Sequence, residues 1–403
     1  MADIAWLIPG LIHGSGGHRT ILQHAHALEQ KGHRCFIYIG GVGKPEDAIT
    51  AIVRMFGYQF QHASFGWDNI APADLVFATI WHSAGVVSAL PFPCKKAYFV
   101  QDYEAMFSAM GDSYLLAENS YRYGLLPITI GRWLQHVLAI KYQTPAWHID
   151  FGADTSVYHP LPDAHKENAI CFIYQPDKPR RCAYIGLSAL ALVKQQRPDI
   201  TIYLYGSPVR ASAPIAFEHH HLGLLDLAAC NALYNRCMVG LCLSASNPSR
   251  IPFEMMAAGL PVVELWRENN VYDFNDDIIR LSLPTPDSLA ACIIDLIDHP
   301  QQRKRMSTTA MQWMQHRSLS AESDQFIAAV DAMLNDQPHQ LPTASSLAPT
   351  YHGSAFEHPV HVRQSDVNDL INMAYSRRLA FLPPTLRRLL SQCKHALRRL
   401  IST

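Results

Sequence analysis

The sequence has almost no charge imbalance. Its 403 residues carry 33 Lys and Arg against 34 Asp and Glu, a net charge of −1, which argues against a general nucleic-acid binder. It also lacks any CxxC pair: the nine cysteines are scattered and odd in number. That pattern points to a reducing compartment, with thiols used mainly as small core residues. The opening MADIAWLIPGL holds an acid at position 3 and no basic run, so no signal peptide is expected. No apolar run is fit to cross a bilayer. Leu75–Cys94 is free of formal charge but contains Thr79, His82, Ser83, Pro91 and Pro93, which predicts a strand, a loop and a short helix.

With 49% hydrophobic and 17% charged residues, the chain is globular and long enough for two domains and a tail. Ile4–Pro9 is a short apolar run, Gly10–Gly17 is rich in Gly and Ser, and His18–Lys31 repeats apolar residues at helical spacing before a strand at Cys35–Ile39. Strand, Gly-rich loop, helix, strand is the βαβ unit of a parallel sheet. Further strands are expected at 75–78, 97–100 and 127–130, with a helix over 132–141. A second series follows Asp150, with strands at 169–174, 201–205, 239–244 and 261–264 and helices at 182–196, 227–236, 255–258, 287–298 and 301–314. The fold class is therefore α/β, with two Rossmann-like doubly wound domains facing a cleft, over residues 1–150 and 151–334. Residues 335–365, rich in Pro, Ser, His and Thr, read as a linker. Residues 366–403 form a basic tail: from Arg377 on there are seven Lys or Arg and no acid. Leu386, Leu389, Leu390, Cys393, Leu397, Leu400 and Ile401 share one helical face, which suits an amphipathic helix on an anionic membrane surface. The plain alternative is a helix docked on the protein with its charges solvated.

Chemistry-bearing residues gather after strands. Gly16 and Gly17 in HGSGGH can bring backbone N–H groups close to a phosphate or sugar at a helix N-terminus, or can simply make a tight turn. Their spacing is not GxGxxG, so the dinucleotide fingerprint fails, and GGVGK at 40–44 fails as a P-loop because Tyr38 and Pro45 flank it. Arg180 and Arg181 end DKPRR, where two guanidiniums can clamp a departing diphosphate or form a solvated basic turn. In NPSRIPFEMMAAGLPVVEL, amides around Ser249, Arg250, Pro252 and Phe253 can meet anionic oxygens at a helix start. Glu254 either stabilises the helix dipole or accepts a hydrogen bond from a sugar hydroxyl. His82 follows a strand and suits hydroxyl binding or proton transfer, unless it is an ordinary loop residue. Asp102 and Glu104 can orient an acceptor or act as base, or can be an N-cap and a first-turn acid. The run His219–His221 reads as a polar loop, since adjacent histidines cannot share a helix face.

Together these segments resemble GT-B glycosyltransferases of the retaining group called glycosyltransferase family 4, through GSGGH, FGADTSVYHP and PFEMMAAGLPVVE. The similarity is closer to the rhamnosyltransferases of surface-polysaccharide (rhamnan) synthesis, through FVQDYEAMF, LAENSYRYG, PRR, HLGLL, LYNRCMVGL and SNPSRIPFEMMAAGLPVVEL, over roughly residues 1–335. The resemblance implies that Glu254 holds the nucleotide's sugar and Arg181 the diphosphate, assisted by Arg180 and by amides of residues 249–253. It puts His82, Asp102 and Glu104 on the acceptor side, with His82, Arg181 and Glu254 as the catalytic set. The implied reaction moves L-rhamnose from dTDP-L-rhamnose, with retention and without a metal cofactor, onto a growing lipid-linked glycan. The expected location is cytoplasmic, peripheral on the inner face of the plasma membrane. Two positions depart from the broad family. Ser246 stands where it has an acid, eight residues before Glu254, and the rhamnan subgroup lacks that acid too. Gln175 stands where an Arg is expected. A catalytically silent GT-B scaffold that binds a glycan or a partner enzyme is the alternative. A nicotinamide-dependent dehydrogenase fits the αβ pattern but lacks the fingerprint and a ribose-binding acid.

Overall fold

Short apolar runs such as DIAWLI and LVFA become strands buried on both faces, as parallel strands covered by helices require. A computed structural model describes residues 1–208, 215–343 and 346–360. The first sheet holds β1 (Asp3–Ile8), β2 (Arg34–Ile39), β3 (His62–Phe65), β4 (Leu75–Ala78), β5 (Lys95–Val100), β6 (Leu126–Ile130) and β7 (Trp147–Ile149). All its pairs are parallel, in the order β3-β2-β1-β4-β5-β6-β7. Its helices are α1 (Gly16–Gln30), α2 (Pro45–Phe56), α3 (Trp81–Ser88), α4 (Asp112–Ser120) and α5 (Arg132–Tyr142).

The second sheet holds β8 (Ala169–Ile173), β9 (Thr201–Tyr205), β10 (His220–His221), β11 (Val239–Leu241), β12 (Val262–Leu265) and β13 (Arg280–Ser282). It is also parallel, in the order β10-β9-β8-β11-β12-β13. Its helices are α6 (Ala183–Gln196), α7 (Leu227–Arg236), α8 (Ile251–Ala257), α9 (Glu268–Val271), α10 (Pro286–Asp298) and α11 (Pro300–Met314). Strand order reverses beside β1 in one sheet and beside β8 in the other, which opens ligand crevices at the carboxyl ends of those strands.

Three sequence expectations need correction. Helix α12 (Leu319–Leu334) follows the second domain in sequence but packs on α1, β6 and β7 of the first. Its Phe326 stacks on Trp6, with centroids 5.7 Å apart, and on His24 at 4.3 Å. The linker reading fails for residues 350–358, which strap the edge beside β13. Phe356 donates its amide to Leu281 O and accepts from Leu283 N, while the Thr350 hydroxyl donates to Phe274 O. Two apolar anchors, Tyr351 and Phe356, hold a stretch whose composition reads as linker. Finally, His220 and His221 form an edge strand, not a loop. The basic tail, residues 366–403, and the last linker positions, 361–365, lie outside the described residues. Among those residues no helix is long and apolar enough to cross a membrane.

Candidate donor site between the two sheets

Ser15 caps α1 by accepting the His18 amide, and the His18 ring pins the preceding loop through Ser15 Oγ (2.9 Å) and Pro9 O (3.3 Å). Gly16 and Gly17 are thereby left exposed as the first two residues of the helix. A Cβ on Gly16 would meet nothing within 4 Å, and one on Gly17 would find the Gln101 amide at 3.7 Å. Gly14, at φ +72°, makes the turn itself, and its face abuts Leu224 of the other half.

Arg180 and Arg181 close a single 3₁₀ turn between β8 and α6. Arg180 reaches across the cleft: its guanidinium lies 4.1 Å over the Phe107 ring and its Nε is 3.8 Å from Asp102 Oδ2. Both Arg180 Nε and Arg181 Nη1 are buried without a hydrogen-bond partner, as are Asn247 Oδ1 and Glu264 Oε2. An orphaned buried polar group costs about 1–3 kcal/mol, so these four mark a spot built for polar contacts. All four belong to segments at the carboxyl ends of β8, β11 and β12. A separate cavity of about 470 Å³, lined by Lys95, Trp147, Asp336 and His339 among others, sits at the opposite ends of β5–β7.

Glu264 escapes sequence reasoning, because VVEL reads only as a strand. It is fully buried, and its Oε1 accepts the amides of Ser244 (2.9 Å) and Leu265 (2.8 Å). Burial pushes its carboxyl up to about 8, against those two amides and the charge of Arg181. A carboxyl raised on folding favours the native state at low pH, and that advantage is lost as pH rises through the folded value. Glu264→Gln keeps the oxygen that the two amides need. Wild type should therefore lose stability relative to this variant as pH climbs through about 8, as read by thermal unfolding from pH 5 to 9.

Glu254 lies in α8, almost fully buried. Burial raises its carboxyl to about 7, opposed by Arg250, the Tyr158 hydroxyl and Arg19. The Cys242 thiol feels the charges of Glu264, Arg181 and Glu254, so all three lie within electrostatic reach of one buried side chain. Ser249 sits there as well, its Oγ 3.6 Å from Cys242 Sγ. Arg19, in the first turn of α1, is a cation near Glu254 that the sequence reading did not single out.

Other expected site residues are engaged elsewhere. Arg250, expected among the donor ligands, has its two terminal nitrogens taken by Glu322, Gly152 O and the Thr20 hydroxyl. Pro252 has no N–H to give, and the amides of Phe253 and Glu254 already go to Arg250 O. The Phe253 ring is core, stacked on Phe151 (4.7 Å), Phe274 (5.0 Å) and Trp313 (6.0 Å). Phe253→Ala should therefore cost about 3–5 kcal/mol in urea unfolding, beyond any effect on ligand binding.

Asp102 is not a base waiting for an acceptor. Its Oδ1 takes the Asn247 amide (2.9 Å) and its Oδ2 the Ser246 hydroxyl (3.1 Å), while Asn247 Nδ2 donates to Gln101 O and Ile130 O, both at 3.0 Å. The carboxylate thus latches the two halves together. Glu104 is buried and caps α3 by accepting the Trp81 amide at 2.6 Å, with burial raising its carboxyl to about 8. It heads its own 3₁₀ turn, Glu104–Phe107, as the first-turn alternative expects, and one carboxylate oxygen is taken by α3. His82 is exposed in the first turn of α3, its ring 5.6 Å from Trp67 and 5.2 Å from Trp81. It makes no hydrogen bond among the described residues, and partial desolvation lowers its pKa although the residue is exposed overall. Gln175 gives its amide to Gly206 O at 3.0 Å.

Two parallel Rossmann-like sheets facing one another across such a site define a GT-B fold. Residues 168–294 match the family model described as WsaF, C-terminal domain. Over 292 residues, 71% of this chain, the sequence is 31% identical to the O-antigen biosynthesis protein RfbC of Myxococcus xanthus. The matched region spans only 22% of that protein's length. Among solved structures, Anabaena HepE in complex with UDP and glucose superposes with a TM-score of 0.65 at 14% identity, over 82% of this chain and all of that one. A glycosyltransferase from Rickettsia africae superposes with a TM-score of 0.59 at 14% identity, covering 83% of this chain and 99% of that one.

Proposed function

We propose that this protein is a nucleotide-sugar-dependent glycosyltransferase of surface-polysaccharide assembly. The observation that carries the reading is the pair of buried guanidinium nitrogens, Arg180 Nε and Arg181 Nη1, that make no hydrogen bond, Arg180 having only the Asp102 carboxylate at 3.8 Å. A diphosphate offers the anionic oxygens they lack, and a fixed positive charge stabilises it as it leaves the sugar. Glu254, buried in α8, accepts a hydroxyl of the nucleotide's own sugar. The UDP held by HepE and the O-antigen role in RfbC's name agree with this reading.

In its finer form the donor is dTDP-L-rhamnose, the configuration is retained, and no metal is needed because the guanidiniums supply the charge. A lipid-linked acceptor at the inner face of the plasma membrane is supported by the segment after Glu104. There Met106, Phe107, Met110, Leu115 and Leu116 all expose apolar side chains, more than isolated surface hydrophobes require. The test is a donor panel against a lipid-linked acceptor, run with a chelator present and the product linkage assigned by NMR. Failure to bind or hydrolyse any nucleotide sugar would leave the silent-scaffold reading, which Gln175 favours.

A further inference from the structure

A buried charged cluster lies where the two sheets meet, and the donor contacts do not use it. Glu322 in α12 is 2% exposed. Its carboxylate receives Arg250 Nη1 at 2.5 Å and Nη2 at 2.8 Å, and the Gly152 amide at 2.7 Å. His24 Nε2 stands 3.2 Å from its Oε1. Arg250 also donates to Gly152 O (2.6 Å) and to the Thr20 hydroxyl (3.0 Å), which itself donates to Gly16 O at 3.0 Å. One chain of contacts therefore runs from α12 through the start of α8 to the first turn of α1.

We propose that Glu322 is a positioning residue for the transfer reaction: by holding Arg250, it fixes the start of α8, and Glu254 with it, against the N-terminus of α1. This rests on the donor-site reading above. Helix α8 is seven residues long, and its cap, Arg250, is helical (φ −65°, ψ −21°) with no side-chain capping bond of its own. The Arg250 side chain supplies the missing tether. A buried ion pair is a poor way to gain stability, since desolvation offsets much of its attraction, whereas a two-pronged Arg–carboxylate contact sets geometry well. Arg250 gives its terminal nitrogens to Glu322, Gly152 O and Thr20 while its charge also reaches Glu254. Without Glu322, the freed cation turns to Glu254 and stabilises its ionised form.

The test measures donor kcat and KM and the pH profile of kcat/KM in full-length wild type, Glu322→Gln, Arg250→Met and the double variant. Glu322→Gln should lower kcat/KM for the donor about tenfold, up to a hundredfold, and move its acid limb to lower pH. The double variant should be no worse than the poorer single one, because Glu322 acts through Arg250. Phe326→Leu, a destabilised control on the same helix, should leave the limb in place. If Glu322→Gln does not fold, Arg250→Lys keeps the charge without the two-pronged contact and should raise donor KM. Additive losses, or an unmoved limb with full turnover, would overturn the inference alone. A wild type that turns over no donor overturns the site reading and this inference with it.

Discussion

Arg181→Ala should cut turnover by about 10² to 10³ while leaving the thermal midpoint unchanged or raised. The two effects part because of where this guanidinium stands. Its Nη1 is buried without an acceptor, so truncation breaks no protein hydrogen bond at that atom and relieves the cost of burying an unpaired donor. Glu264 is held independently by the amides of Ser244 and Leu265. On the proposed reading, the same nitrogen meets the charge that builds on the leaving diphosphate. Arg180→Ala is the informative contrast. Arg180 packs on Phe107 and faces Asp102, so its removal should lower both activity and the thermal midpoint. Steady-state kinetics with donor varied, beside thermal unfolding of each variant, measures both. Parallel losses of activity and stability in Arg181→Ala would make that residue a part of the fold and not of the chemistry.

The same distinction, between what a residue is and what it already holds, separates the legible parts of this molecule from the illegible ones. Parallel strands covered on both faces must be continuous apolar runs, so Leu75–Ala78 and Thr201–Tyr205 stand at their expected positions. Helix α1 shows its buried face through Ile21, Leu22, Ala25 and Leu28, a spacing that local periodicity reveals. Helix α12 has a comparable face, but what that face covers is Trp6 and His24, some 300 positions earlier. Local pattern carries no sign of that return. The site follows the same logic. Strand ends locate Arg180, Arg181 and Glu254, because loops after parallel strands face the crevice. Asp102 looks like a free acid in QDYE, and only the folded chain brings Ser246 and Asn247 to consume its oxygens. Arg250 looks like a ligand at a helix start until Glu322 arrives from the far end of the domain. Glu264 is silent for the opposite reason, since a carboxylate inside an apolar strand has no local motif.

Glu254→Ala should remove most turnover, about a hundredfold for a lost hydrogen bond to a charged group, with the fold intact. Glu254→Gln separates charge from shape. Burial raises this carboxyl to about 7, and an ionised acceptor binds a hydroxyl more strongly than a neutral one. In wild type, kcat/KM should therefore rise through about pH 7, reporting the free enzyme. In Glu254→Gln that limb should vanish and activity should stay at the low plateau. Stability moves the other way. The raised carboxyl favours the folded state below its ordinary range and loses that advantage as pH passes 7, so the Gln variant should be the more stable protein in alkaline buffer. Opposite signs for activity and stability distinguish hydroxyl recognition from a first-turn acid that serves the helix dipole, for which the Gln variant would lose stability and keep its turnover. The nucleotide adds a further discrimination. Position 246 supplies no second acid, and its hydroxyl is committed to Asp102, so under the proposed reading Glu254 would be the single acid that meets the nucleotide's sugar. A thymidine donor presents one ring hydroxyl and a uridine donor two. If one hydroxyl is read, Glu254→Ala should lose the same factor on dTDP- and UDP-linked forms of the same sugar. A larger loss on the uridine donor would mean that the site binds both hydroxyls, and would turn the donor assignment away from thymidine.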